Sequence, residues 1–307
     1  MTFLHLVYDD LILAFSKLDV QATMFLSRRT LHTDMDRLAS IKLANAPWYV
    51  EADKTLTSLL GRAFNFFRTK TDPLRFARDD ETPVSLYTDL QDLEDELRRF
   101  REEHSLSGVP HAHSVPALPH AHQILWLNSL MLHILLSCCL CMDEMVYDFF
   151  LADFEAIIAM VEGMVYTAEA ATAARTLSSP AGGFKDFHLN MSLLFPIFKT
   201  AMLCRSPSLR RRCMALMVDV SFDEGVWQGD SGYKYAEIFI RLEEEGLVLD
   251  DCASGTAEAL GPEVIVEEQR LRSLDVQPEG AERNSTLFFR FNKETAQWDD
   301  LVKAVVW

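Results

Sequence analysis

Positive charge is scarce in this 307-residue chain: 29 Lys and Arg stand against 46 Asp and Glu, a formal net charge of -17 with a pI near 4.9. Nucleic-acid backbones are bound by clustered cations that release condensed counterions, so this balance works against direct contact with DNA or RNA. Cysteine is sparse too. The six thiols, Cys138, Cys139, Cys141, Cys204, Cys213 and Cys252, follow no regular spacing. That excludes the disulfide framework of a small secreted domain and fits reduced thiols in a nuclear or cytoplasmic compartment. No secretory signal is expected at the N-terminus, because Asp9, Asp10 and Lys17 break up its apolar residues and no basic stretch precedes them. A Gly-rich phosphate loop and a nucleophile elbow are also missing, which removes the usual signatures of nucleotide-directed and ester-directed chemistry.

What the chain has is apolar bulk, 49% of its residues, enough for a substantial core. From Ile124 to Met142 there is no charged residue, a length close to the roughly 20 residues that span a bilayer. Asn128, Ser129, His133 and Ser137 interrupt it, its C-terminal flank is acidic (Asp143, Glu144, Asp148), and no Lys or Arg lies close enough to orient it. A helix apolar all round is also what the centre of a large helical protein requires. The reading is a buried central helix, with no membrane partner.

Hydrophobic periodicity predicts helices along most of the chain. Leu4, Val7, Leu11, Phe15, Leu18, Ala22 and Phe25 recur at steps of three and four, and Ala52, Leu56, Leu59, Ala63 and Phe67 form a second stripe over 51–68. From Ser85 to His104, Leu86, Leu90, Leu93, Leu97 and Phe100 mark a third helix, acidic in its first half and basic at its end, as the helix dipole prefers. Three prolines and a glycine make 105–119 a loop. Further helices are predicted over 148–176, over 187–204 with a kink at Pro196, after the Ser206-Pro207 cap, and from about Ser231 to Gly246. The tail changes character: Arg270 to Val276 and Ser285 to Asn292 alternate and are separated by Pro278 and Gly280, as in a β-hairpin. The expected fold is mainly α, a single multi-helix domain over 1–250 with a linker and small C-terminal β-hairpin over 251–307 packed on it.

Several short patterns carry a resemblance. Ala14-Phe15-Ser16-Lys17-Leu18-Asp19-Val20-Gln21-Ala22 opens the series, followed by Phe187, Pro196, Cys204-Arg205, Pro207 and Arg211-Arg212. Glu224-Gly225-Val226-Trp227, Glu243-Glu244 and the strand Arg270 to Val276 complete it. In this order they resemble the regulatory region of fungal zinc binuclear cluster (six-cysteine) transcription factors. The resemblance implies a kinked helix, a Cys-Arg-x-Pro corner, a basic helix, and structural roles for Cys204, Arg205, Arg211, Arg212, Glu224, Trp227 and Glu243. Two departures stand out. The family's DNA-reading module needs six thiolates in a repeated Cys-x2-Cys-x6-Cys pattern that share two zinc ions, and this chain does not contain it. Asp223 also stands where the family usually places Arg, which loses or reverses an ion pair there.

Other residues offer candidate chemistry. His111, His113, His120 and His122 form two His-Ala-His pairs of the kind transition metals use, but no Asp, Glu or Cys within the segment completes a shell, and a solvated loop explains them. Cys138 and Cys141, three apart, read as core thiols. Gly229-Asp230-Ser231-Gly232 has the form of a protease nucleophile turn, yet it precedes a helix, so Ser231 is expected as its N-cap. Asp9-Asp10 and the run Asp92, Glu94, Asp95 and Glu96 offer Mg²⁺ ligands with no matching second motif; a solvated acidic face suffices. Arg210, Arg211 and Arg212 point in different directions on a helix, so Arg211 or Arg212 pairing with Glu224 or Glu243 inside the fold is the expectation.

The sequence thus points to a transcription-regulator-like protein without its own DNA-binding module. It would act through protein partners, such as a transcription factor or a second copy, or through a small apolar effector, in a setting the resemblance makes fungal secondary metabolism. No cofactor and no direct nucleic-acid partner are expected, and the reading leans away from an enzyme. The alternative is a helical scaffold recruited as a ligand-binding protein or cyclase-like enzyme, since 20 Phe and 12 Met supply adaptable apolar surface for a pocket.

Overall fold

A computed structural model describes residues 3–25, 31–41, 46–77, 83–106, 120–176, 187–188, 193–219, 223–224, 227–245, 261–278, 283–292, 295 and 297–306. The fold is mainly α, with antiparallel strands near the C-terminus. The described residues up to Met142 form one compact unit and those from Asp143 onward a second; the terminal strands belong to the second unit together with its helices.

The first unit contains α1 (Phe3–Phe25), α2 (Met35–Ser40), α3 (Trp48–Phe66), α4 (Asp72–Ala77), α5 (Val84–Glu103) and α6 (His120–Cys138). Asp34 starts α2, its carboxylate accepting from the Asp36 and Arg37 amides at 3.1 Å, which satisfies two donors that a helix N-terminus leaves open. The helix α3 lies against α1, α2, α5 and α6 and buries Leu56, Leu59, Leu60, Ala63 and Phe64. Its Gly61 serves close approach, since a Cβ there would stand 2.3 Å from the Met35 sulfur and 3.1 Å from Val20. Helix α5 buries Leu86, Leu93, Leu97 and Phe100 on one stripe. Helix α6 is buried on most sides, from Leu125 to Leu132 without interruption, and is the one helix among the described residues long and apolar enough to cross a membrane; the burial fits a core helix.

The expected face of α1 is displaced. Leu11 and Phe15 are 51% and 66% exposed, whereas Ser16, Lys17, Asp19, Val20, Gln21, Ala22, Thr23 and Met24 are buried. Polar groups turn inward because they have work there. Asp19 accepts from the His32 and Thr33 amides at 2.7 Å each, and Lys17 pairs with Asp53 of α3. Apolar periodicity alone could not register those partners, which come from other elements.

The second unit contains a 3₁₀ turn (Glu144–Phe150), α7 (Leu151–Thr176), α8 (Leu194–Leu203), α9 (Pro207–Asp219) and α10 (Gly229–Glu243), with α8, α9 and α10 in mutual contact and α7 against α8 and α9. Short strands β1 (Phe187–His188), β2 (Asp223–Glu224) and β3 (Trp227–Gln228) make a small mixed sheet. The helix predicted over 187–204 therefore begins only at Leu194. Pro196 becomes its third residue, inside the first turn where a missing N–H breaks no helical bond, so the expected kink is not required. Pro207 is the first residue of α9 as expected. The terminal hairpin is present as β4 (Leu271–Pro278) and β5 (Arg283–Asn292), and β6 (Gln297–Val306) extends it to three antiparallel strands in the order β4-β5-β6. Phe239 of α10 meets Phe288 of β5 edge to face at 6.1 Å between ring centroids, and both rings are buried. Each such side chain contributes roughly 1.5–3 kcal/mol by leaving water.

Candidate functional site

The corner between α8 and α9 gathers most of the unusual chemistry. A helix C-terminus leaves carbonyls without intrahelical donors, and at Met202, Leu203 and Cys204 those carbonyls meet arginines. The Arg270 guanidinium, preceding β4, donates to the Met202 and Leu203 carbonyls at 3.4 and 3.0 Å, and Arg210 Nε donates to the Cys204 carbonyl at 2.6 Å. Arg290 of β5 caps α10 the same way, through the Leu242 carbonyl at 2.6 Å. Guanidinium suits these positions because its donors spread in a plane and its cation faces the negative helix end.

At the centre lies Glu243. Its side chain and that of Arg210 are both fully buried, and they form an ion pair. The same carboxylate accepts from Arg270 Nη1 at 2.6 Å and from the Leu271 amide at 2.8 Å, tying α9, α10 and β4 together. Burial opposes the charge on Arg270, while Glu243, Glu144 and Glu267 favour it and leave its pKa above the usual arginine value. Glu244 supplies a second negative charge, paired with Arg211 and 3.7 Å from Arg210 Nη1. That nitrogen is buried without a hydrogen-bond partner, as is Arg270 Nε.

Around this centre the pairs become more exposed. Arg205 joins Asp148 through Nε at 2.9 Å and also donates to the Ile265 carbonyl. Arg272 bridges Glu144, at 3.0 Å, and Glu267, whose other oxygen accepts from the Glu144 amide at 3.1 Å. Burial pushes the Glu267 carboxyl up to about 7 against the pull of Arg272; a hydrogen bond shared with Asp143 and the charges of Asp143 and Glu144 add to the rise. Arg212 pairs bidentately with Glu162 of α7 at 2.9 and 2.8 Å, which raises its pKa chiefly through that hydrogen bonding.

The structure thus brings Cys204, Arg205, Arg211 and Glu243 to one corner, with Arg212 at its edge on Glu162. It assigns the partners differently from the sequence: Arg210, not Arg211 or Arg212, meets Glu243. Glu224 and Trp227 are opposite one another in the β2–β3 backbone pairing; their side chains lie outside the described set. Arg270 was seen only as part of a strand.

The other candidates separate. His111, His113 and Cys252 lie outside the described residues. His120 is exposed; His122 Nε2 donates to the His104 carbonyl at 3.0 Å, and its Nδ1 is buried without a partner. Among the described residues no group of three or more His, Cys, Asp or Glu is placed to hold a metal ion. Cys138 is buried and Cys141 partly so, and burial raises the thiol pKa of Cys139 to about 12 and those of Cys204 and Cys213 above the usual value. These are packing thiols, not nucleophiles. Ser231 is the third residue of α10, not its N-cap, and the neighbouring glycine has a packing purpose: a Cβ on Gly232 would stand 3.3 Å from Leu194 of α8. Asp9 is half-buried and the Asp10 side chain lies outside the described set. Asp92 is exposed. Glu96 makes a bidentate pair with Arg62 of α3, which holds its carboxyl below the usual range, while Asp95 pairs with Arg98 and burial raises Glu94.

Beside the corner, α9 and α10 enclose a cleft of about 590 Å³, floored by Met214, Ile240 and Leu242 and bordered by Arg211 and Glu244. Its described lining holds carboxylates, guanidiniums and a tyrosine but neither His nor Cys. Comparison of the chain with protein-family models, with curated proteins and with solved structures finds no match.

Proposed function

We propose that the chain is a regulatory interaction module that resembles the helical region of fungal zinc-cluster transcription factors, lacks a DNA-reading module of its own, and acts through protein partners or a small effector. One observation carries the reading. The consecutive arginines Arg210, Arg211 and Arg212 are engaged by the chain's own carboxylates Glu243, Glu244 and Glu162. Arg210 is fully buried, and at Arg211 and Arg212 the chain's own carboxylates compete with any phosphate. The buried thiols and the carboxylate-guanidinium pairs favour a scaffold that positions surfaces over one that transfers groups.

The cleft between α9 and α10 favours the second reading, a ligand-binding scaffold, to the extent that a small molecule is the effector. Gel-shift experiments with genomic DNA fragments test the main reading, together with a reporter assay in which the chain is fused to a heterologous DNA-binding domain. The expected result is no sequence-specific shift by the chain alone and altered reporter transcription by the fusion. A tight, sequence-specific shift by the chain alone would overturn it.

A further inference from the structure

We propose that the cleft between α9 and α10 binds a small amphipathic amine, its apolar body on Met214, Ile240 and Leu242 and its ammonium held by Glu237 and Glu245. The volume, about 590 Å³, falls within the roughly 300–1,000 Å³ typical of small-molecule sites. The floor is apolar and closed: Met214, Ile240 and Leu242 are 9%, 4% and 7% exposed. The deeper charges are already balanced, because Arg211 pairs with Glu244. Charges at the mouth are not. Glu237, Arg241 and Glu245 are exposed and have no side-chain ion pair or hydrogen bond among the described residues.

That imbalance sets the sign of the ligand. Two unpaired carboxylates stand against one guanidinium, and the net charge of -17 on the whole chain draws cations toward it. A carboxylate ligand would find only Arg241, with two acids beside it. Tyr233, Glu237 and Ile240 follow one another along α10 at steps of four and three, so the acidic rim and the apolar floor share one helical face. The site also borders the brace: Glu244 lines the cleft and lies 3.7 Å from Arg210 Nη1. An occupant would therefore touch Arg211 and Glu244, the pair that joins α9 to the end of α10, which is how an effector would act on the regulatory module proposed above. Only that biological sense rests on the regulatory reading; the binding does not.

Octylamine, octanol and octanoate, which share a chain and differ in head group, test the site by isothermal titration calorimetry on the full chain. Saturable binding of octylamine is expected, with octanol weaker and octanoate weakest. The double variant Glu237→Gln/Glu245→Gln, altered only at exposed positions, should weaken octylamine roughly fivefold to tenfold and leave octanol unchanged, the effect of losing two solvent-screened ion pairs. Met214→Trp, checked for folding by circular dichroism, should abolish both by filling the floor. Absence of octylamine binding, equal or tighter binding of octanoate, or octylamine binding indifferent to the double variant would each overturn the proposal. None of these outcomes bears on the gel-shift result, so the site and the regulatory reading can fail separately.

Discussion

Arg210 and Glu243 face one another with no exposed surface on either side chain. Glu243 is also the acceptor for Arg270 and for the Leu271 amide, so one carboxylate offsets two buried guanidiniums and anchors the start of the terminal sheet. The arrangement is unequal by construction: removing the acid strands two cations, whereas removing one arginine strands only part of one acid.

Glu243→Ala should therefore be severely destabilising. Breaking a buried pair by deleting one partner costs about 3–5 kcal/mol, because the remaining charge is left uncompensated, and a typical domain has only about 5–15 kcal/mol in total. Arg212→Ala, by contrast, removes a pair whose side chains are 37% and 40% exposed and should cost less than about 1 kcal/mol. Urea denaturation followed by circular dichroism ranks the two. Similar losses in both variants would mean that burial does not set the strength of this network.

Elements with one dominant periodicity were legible in the sequence: the Leu86–Phe100 stripe of α5, the charge-free α6, the Ser206-Pro207 start of α9 and the two strands β4 and β5. What escaped it depends on partners distant in sequence. The inward turn of Lys17 and Asp19 on α1 needs Asp53 and the His32 and Thr33 amides, and the role of Arg210 needs Glu243, 33 residues away. Helical spacing could show that one of three arginines turns inward; only the packing of α9 on α10 decides which. The third strand, β6, was missed because Trp298-Asp299-Asp300-Leu301 mixes acids with apolar residues and breaks the alternation that marks a half-buried strand.

The displaced face of α1 gives a direct check. Phe15 is 66% exposed and Met24 is fully buried, although simple periodicity puts Phe15 on the core stripe. Phe15→Ser should change stability by no more than about 0.5 kcal/mol, whereas Met24→Ala should cost roughly 2–5 kcal/mol through lost burial and the cavity left behind. Thermal or urea unfolding of the two variants decides the register; a larger loss from the Phe15 change would restore the periodic face.

Thiol reactivity should follow burial. At about pH 8 a thiol with a pKa near 12 is ionised only to about one part in ten thousand, and the thiolate is the reactive species. Cys139, raised to about 12, and the buried Cys204 and Cys213 should resist iodoacetamide in the folded chain, while the partly exposed Cys141 is alkylated before them. Peptide mass spectrometry before and after denaturation reads this. Early labelling of Cys204 would show that the α8–α9 corner opens in solution.

Glu267 should make stability fall as pH rises through the neutral range. In the folded chain its carboxyl titrates near 7, burial being the main cause, against about 4.5 for the ordinary side chain. The folded state therefore holds this proton more tightly than the unfolded state does. The resulting stabilisation is complete below about pH 4.5 and is lost progressively as pH rises to about 7. Glu267→Gln keeps one oxygen, enough to accept from Arg272 or from the Glu144 amide but not from both, and cannot ionise, so it removes this slope. Wild type should lose stability relative to Glu267→Gln between about pH 5 and about pH 8, measured by urea unfolding at each pH. Parallel profiles for the two proteins would mean that Arg272 holds Glu267 ionised throughout, and that the ion pair outweighs the burial of the acid.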